Sequence, residues 1–190
     1  MNQQDLTNLL KRSLHTIETL KERLNKQHTI EPIAIIGMAC RFPGGSNTPE
    51  KFWSFLENGN DGVIPVPEDR WHQADFYDPD PEAPDKMYVN EAGFLTEDIS
   101  AFDARLFNIS PREASEIDPQ QRLLLETTWE AIERCGIDQK SLKKSQTGVF
   151  VGIIGSEYIT LPRASISAYT MTGSTSHMAS GRISHISKRS

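Results

Sequence analysis

Asp118-Pro119-Gln120-Gln121-Arg122-Leu123-Leu124-Leu125-Glu126 opens a helix expected to run to about Cys135. Asp118 suits the N-cap, because its carboxylate accepts from the free amides of the first turn. Pro119 falls at the first helical position, where its missing N–H costs nothing. Gln121, three residues past the cap, is placed to bond back to the Asp118 amide as a capping box. Leu124, Thr128, Ala131, Ile132 and Cys135 recur at helical spacing, and Leu123, Leu125 and Trp129 widen the apolar face. A helix of this pattern is buried on most sides. Gly136 suits the left-handed C-terminal position. Taken alone, the stretch specifies core and not chemistry.

Toward the C-terminus, a polar connection through Ser145 leads to Gly148-Val149-Phe150-Val151-Gly152-Ile153-Ile154-Gly155, which has the apolar character of a buried strand. Residues 161–190 are rich in Ser and Thr; residues 175–186 are expected to form a helix capped by Ser174 or Thr175, with Met178, Ile183 and Ile186 on one side. Toward the N-terminus, Ser110-Pro111-Arg112-Glu113 predicts a short capped helix. Phe94, Ile99, Phe102 and Phe107 form an apolar cluster before it. Residues 60–92 read as a long acidic loop with five prolines between Pro65 and Pro84, anchored by Trp71, Phe76 and Tyr77. Thr48 and Pro49 cap a helix to Asn58, closed by Gly59, with Phe52, Trp53, Phe55 and Leu56 on its apolar side.

Ile33-Ala34-Ile35-Ile36 is a second expected buried strand, followed by Gly37 and the turn Pro43-Gly44-Gly45. No Lys-Ser or Lys-Thr follows at phosphate-loop spacing and no G-x-G-x-x-G is present, so the phosphate-loop reading of this turn fails and nucleotide binding is not expected. Residues 5–27 form an amphipathic helix striped by Leu6, Leu10, Leu14, Ile17, Leu20 and Leu24. That stripe either packs on its own domain or pairs with a partner helix. The polar link before the first strand favours association, since an isolated helix of this length is marginal in water. Helices alternating with apolar strands predict an α/β arrangement.

The 190 residues carry a formal net charge of −6 and a mean hydropathy of −0.48. The charge is uneven: residues 1–28 carry +2, residues 161–190 carry +4, and the acidic middle carries −12. An acidic body argues against nonspecific nucleic-acid binding. No apolar run is long enough to span a bilayer, and no secretory signal opens the chain, so a cytoplasmic location is expected. Cys40 and Cys135 are the two cysteines, and neither forms a C-x-x-C pair, so no disulfide framework or zinc site is indicated.

Several blocks together resemble the β-ketoacyl synthase domain of modular polyketide synthases. Glu31-Pro32-Ile33-Ala34-Ile35-Ile36-Gly37-Met38-Ala39-Cys40-Arg41-Phe42-Pro43-Gly44 looks like its opening. The series continues through Phe52-Trp53, Val66-Pro67-Glu68-Asp69-Arg70-Trp71, Gly93-Phe94-Leu95 and Phe102-Asp103-Ala104-Arg105-Leu106-Phe107-Asn108-Ile109-Ser110-Pro111-Arg112-Glu113-Ala114. It then takes in Asp118 to Glu126, Thr128-Trp129-Glu130-Ala131, Thr147-Gly148-Val149-Phe150-Val151-Gly152 and, more weakly, Ala179-Ser180-Gly181-Arg182-Ile183-Ser184-His185. The resemblance covers about residues 30–186, in order, and no single block decides it. Residues 1–28 resemble the coiled-coil docking segment that precedes such domains.

The resemblance implies a layered αβαβα thiolase-like fold, here incomplete, with an N-terminal amphipathic helix. It implies decarboxylative Claisen condensation, with phosphopantetheine brought by partner acyl carrier domains and no cofactor bound directly. It implies self-association, or docking to an upstream synthase subunit, through Leu6, Leu10, Leu14, Ile17, Leu20 and Leu24. In the family the nucleophile lies in a Thr-Ala-Cys-Ser-Ser-type stretch after the Gly-Arg-Ile-Ser segment, and the histidines lie later. Here Ile186-Ser187-Lys188-Arg189-Ser190 follows, so residues 187–190 diverge. A ketosynthase lacking its catalytic half, by frameshift, early stop or split gene, is the expectation. Cys40 belongs to a block that does not hold the nucleophile. Cys135 reads as a small core residue. His177 and His185 lack a third ligand for a metal, and His15, His28 and His72 form no Cys–His pair. No catalytic, cofactor-binding or metal residue is assigned. The alternatives are a non-catalytic interaction module acting through the N-terminal helix, or an unstable truncated remnant.

Overall fold

A computed structural model describes residues 3–28, 32–161 and 166–186. The chain divides into two compact units, Met1–Ile35 and Ile36–Ser190. The divergent tail at residues 187–190 lies outside the described residues.

The first unit holds helix α1 (Gln3–His28). Its interior has no Gly or Pro, and Thr16 and Thr19 bond back to the carbonyls of Arg12 and His15. Leu10, Leu14, Ile17, Leu20 and Leu24 are all exposed, as is Leu9 beside them. The side chain of Leu6 lies outside the described residues. No described helix is long and apolar enough to cross a membrane.

The second unit opens with a segment that closes on itself through the Phe42–Ser46 bridge, with Gly44 and Gly45 at positive φ. Helix α2 (Pro49–Glu57) follows, and the Thr48 hydroxyl accepts from the Lys51 amide, as its sequence predicts. The acidic loop is stiffened more than its composition suggests. Strands β1 (Val63–Pro65) and β2 (Glu91–Gly93) pair antiparallel, with Ile64 opposite Ala92. Of the three expected anchors, Trp71 packs edge-on to Phe94 at 5.9 Å, Tyr77 bridges to Met87, and Phe76 stays exposed. Helix α3 (Pro111–Ala114) is capped by Ser110, and helix α4 (Pro119–Arg134) by Asp118. Gly136 ends α4 at a φ of 67°, as expected. Helix α5 (Ala168–Ser174), which the Ser/Thr-rich composition obscured, has a true capping box between Ser167 and Thr170. Helix α6 (His177–Ile186) occupies the expected place.

The core sits where α4 meets α6. Phe107, Leu125 and Ile183 are buried together, and Phe102, Ile109, Leu124, Trp129, Val149 and Val151 pack around them. Phe107 stacks on Phe102 at 5.4 Å and meets Trp129 edge-on at 5.9 Å.

The two expected buried strands are not formed. Neither residues 33–36 nor residues 148–155 pair with a strand, and Ile33 and Phe150 are 91% and 96% exposed. A strand buried on both faces holds its shape through hydrogen bonds to neighbours. The only strand pair among the described residues is β1 with β2, so nothing pairs with either run.

Candidate functional site

The first turn of α4 gathers hydrogen bonds from several separate segments of the second unit. Asp118, only 4% exposed, caps the helix by accepting from the Gln120 amide at 2.7 Å and from the Ser156 hydroxyl. The expected capping box is absent. The Asp118 amide donates instead to the Gly173 carbonyl at 3.0 Å, so no donor is left for Gln121 to satisfy. Gln121 turns to α5 and α6. Its side-chain amide donates to Gly173 O at 2.9 Å and Thr175 O at 3.2 Å, and its oxygen accepts from Arg182 Nε at 3.0 Å. Arg182 Nη1 reaches Glu113 at 2.6 Å and so ties α6 to α3.

Arg122 is buried beside it, and among the described residues none of its hydrogen-bond acceptors is a carboxylate. Its Nε donates to Ile117 O at 2.7 Å, Nη1 to Ser100 O at 3.2 Å and Nη2 to Tyr158 Oη at 3.0 Å. The Tyr158 hydroxyl in turn donates a hydrogen bond to Ser115 O at 3.0 Å. Thr170 Oγ1 donates to Glu116 Oε2 at 2.9 Å. Sequence reading placed apolar side chains deepest in α4. Its most buried residues are instead Gln121, Arg122 and Leu125. A run of three polar residues, Gln120, Gln121 and Arg122, between a good cap and three leucines was the available signal. These groups satisfy one another, as buried polar groups must, and they form a clamp.

A second polar patch joins the start of the unit to the far end of α4. Arg41 forks onto Glu130, and its Nη1 also donates to the carbonyls of Cys40 and Asn47, both at 3.0 Å. Arg134 pairs with Glu50 of α2. Burial pushes the Glu126 carboxyl above its ordinary range on the same helix. Gly37 lies so close to α4 that a Cβ there would stand 2.4 Å from Ala131 O.

Among the described residues of the second unit, both thiols bond backbone carbonyls and not imidazoles. Cys40 Sγ donates to Ser46 O at 3.6 Å, and Cys135 Sγ to Ile132 O at 3.0 Å. Burial pushes the Cys40 thiol up, which lowers its thiolate fraction and its reactivity. His72 faces Glu68 at 3.3 Å in the open. His177 and His185 stand on α6, and among the described residues no group of three or more His, Cys, Asp or Glu could hold a metal ion. The acidic loop gathers no such group either.

Known proteins place this arrangement. Residues 30–188 match the family described as β-ketoacyl synthase, N-terminal domain. A polyketide synthase of Streptomyces halstedii, GfsB, is 50% identical over 159 residues, covering 82% of this chain and 3% of that protein. The erythronolide synthase EryA2 of Saccharopolyspora erythraea is 44% identical over 179 residues, covering 93% of this chain and 5% of that protein. Among solved structures, the oxazolomycin ketosynthase domain of Streptomyces albus aligns with a TM-score of 0.71 at 39% identity, over 80% of this chain and 26% of that one. A ketosynthase of the bacillaene synthase from Bacillus subtilis aligns with a TM-score of 0.67 at 30% identity, over 81% of this chain and 24% of that one. The chain thus spans a few per cent of these synthases and about a quarter of a solved ketosynthase chain. The partial fold built on the α4 clamp is a piece of the thiolase-like ketosynthase fold, and the chain belongs to the β-ketoacyl synthase family through that family's N-terminal domain.

Proposed function

We propose that this chain serves polyketide assembly in the cytoplasm as the N-terminal scaffold of a condensing domain. In the reaction, a cysteine thiolate takes an acyl chain from a phosphopantetheine thioester on a carrier domain. A malonyl-type thioester then loses carbon dioxide, and the electron pair of the broken C–C bond forms an enolate. The enolate carbon attacks the acyl thioester and expels the cysteine thiolate. The observation that carries this reading is the family match over residues 30–188, which includes every element of the α4 clamp.

The part played by this chain is structural. Its two cysteines are engaged with backbone carbonyls, and neither stands at the first turn of a helix, where a thiolate is favoured. What it supplies is α6, carrying the Gly-Arg-Ile-Ser segment, held through Arg182 against Gln121 and Glu113. Purified chain incubated with acyl- and malonyl-loaded carrier proteins is expected to give no β-ketoacyl product by chromatography. Turnover above the carrier-only control would overturn the scaffold reading.

A second reading rests on α1. Five large aliphatic residues on one stripe, each about half exposed, suit a partner helix. We propose that α1 pairs with a second copy or docks the tail of an upstream synthase subunit. Light scattering on the intact chain should report a dimer that falls to a monomer when Leu14 and Ile17 are both replaced by Asp. A parent chain that is already monomeric and captures no synthase tail counts against α1 in either role.

A further inference from the structure

Asn58 is the one asparagine in the sequence that glycine follows. That pair has a chemistry of its own. The backbone nitrogen of the following residue can attack the asparagine Cγ, and glycine has no side chain to crowd the approach. Asn58 and Gly59 are both exposed, and a Cβ at Gly59 would meet nothing within 4 Å, so water and base reach the pair.

The fold holds both reactants in the C-terminal cap of α2. Gly59 sits at a φ of 63°, its amide donates to Leu56 O at 3.0 Å, and the Asn60 amide donates to Phe55 O at 3.1 Å. These two bonds form a Schellman motif. The Asn58 side-chain nitrogen donates to Ser54 O at 2.7 Å and to Ser54 Oγ at 3.3 Å. Ring closure needs Cβ, Cα and C of Asn58 and the Gly59 nitrogen close to one plane. At the observed ψ of 0°, the Gly59 nitrogen eclipses the Asn58 backbone nitrogen instead. The backbone turn, the engaged Gly59 N–H and the held side-chain amide each block the reaction. All three belong to the last turn of α2, and helix ends open at low cost in free energy.

We propose that Asn58 is a site of spontaneous covalent modification, gated by opening of the α2 cap. The Gly59 nitrogen bonds to Asn58 Cγ and the Cγ–Nδ2 bond breaks. Ammonia departs with the proton that left the Gly59 nitrogen. Water then opens the cyclic imide at either carbonyl and leaves an aspartyl or an isoaspartyl residue at position 58. No oxidant or reductant takes part. The change is one-way for the cap. The new carboxylate has no proton to give Ser54 O, and its charge lies at the negative end of the helix. An isoaspartyl link also lengthens the backbone, which throws the bonds to Leu56 O and Phe55 O out of register. The inference stands apart from the condensing reading.

The test incubates the full chain at mildly alkaline pH, folded and in urea, and follows the tryptic peptide 52–70 by mass spectrometry with enzymatic isoaspartate labelling. The folded chain is expected to gain the mass of an amide-to-acid change at position 58, and the unfolded chain to do so at least about tenfold faster. Ser54→Gly weakens the last turn, and should speed the folded reaction about twofold while leaving the rate in urea unchanged. Asn58→Gln should abolish the mass change. Ser54 and Asn58 are both exposed, and circular dichroism checks that each variant keeps the parent fold. Asp61-Gly62, whose Asp61 Oδ1 accepts from the Val63 amide at 2.9 Å, lies on the same peptide and forms the same imide by loss of water, without a mass change. Isoaspartate at position 61 with none at position 58 overturns the proposal. So do equal rates in the folded and unfolded chains, or a folded chain that never reacts while the unfolded one does.

Discussion

Replacing Arg122 by Met is expected to lower the stability of the second unit by about 3 kcal/mol. Two effects oppose each other. Removing a buried guanidinium relieves its desolvation, and an apolar side chain of similar length is sometimes neutral at such a site. Against this, Arg122 makes three hydrogen bonds to three different segments. Its Nε bond is to the carbonyl of Ile117, which is fully buried, so no water can replace the lost donor. An orphaned buried acceptor costs about 1–3 kcal/mol, and hydrogen bonds from charged donors are worth more than neutral ones. The stacking of Arg122 over Tyr158, at 5.8 Å from the ring centre, goes as well. The loss therefore wins. Arg122→Lys keeps the charge but not the fork, and should recover less than half of it. Denaturant titration with tryptophan fluorescence reads both, since Trp129 lies on the same helix. A Met variant as stable as the parent would show that the clamp is decoration on an apolar core.

Gly173→Ala is expected to cost about 3 kcal/mol, against the direction of helix propensity. In an open helix, Gly→Ala stabilises by about 1 kcal/mol. At position 173 the new Cβ would stand 2.1 Å from Glu116 O and 3.1 Å from Ile117 Cα, both backbone atoms that cannot swing away. Relief means parting α5 from the segment ahead of α4. That separation breaks the bonds from the Asp118 amide and the Gln121 side chain to Gly173 O. Gly181 in α6 is the matched control, because its Cβ would meet nothing within 4 Å. Gly181→Ala should stabilise by roughly 0.5–1 kcal/mol. Opposite signs for the two glycines are the signature; equal signs would mean that α5 is not packed on Glu116.

The parts of the chain legible in sequence were those governed by local chemistry. Thr48, Ser110 and Asp118 cap their helices because each side-chain oxygen meets an amide two or three residues on. The family resemblance was legible for a different reason: its blocks keep their order over most of the chain. The capping box at Gln121 failed because a distant residue, Gly173, took the donor first, and no window around Asp118 contains that fact. The strands at residues 33–36 and 148–155 failed for the converse reason. Their apolar pattern reports only a preference for burial, while a strand needs a hydrogen-bonded neighbour, and among the described residues only β1 and β2 pair. Helix α5 was hidden because Ser and Thr, poor in helix interiors, are here held by the Ser167–Thr170 capping box and by the close seat of Gly173.

Intact-protein mass spectrometry after exposure to an acyl-phosphopantetheine thioester tests the scaffold assignment most directly. The acyl donor is presented in excess, and thiols are then mapped by proteolysis. With Cys40 raised in pKa by burial and Cys135 bonded to its own helix, neither thiol should gain an acyl group. An unmodified mass after prolonged incubation is the predicted result. Stoichiometric acylation at Cys40 or Cys135 would contradict it, and would make this chain a source of the nucleophile and not only its support.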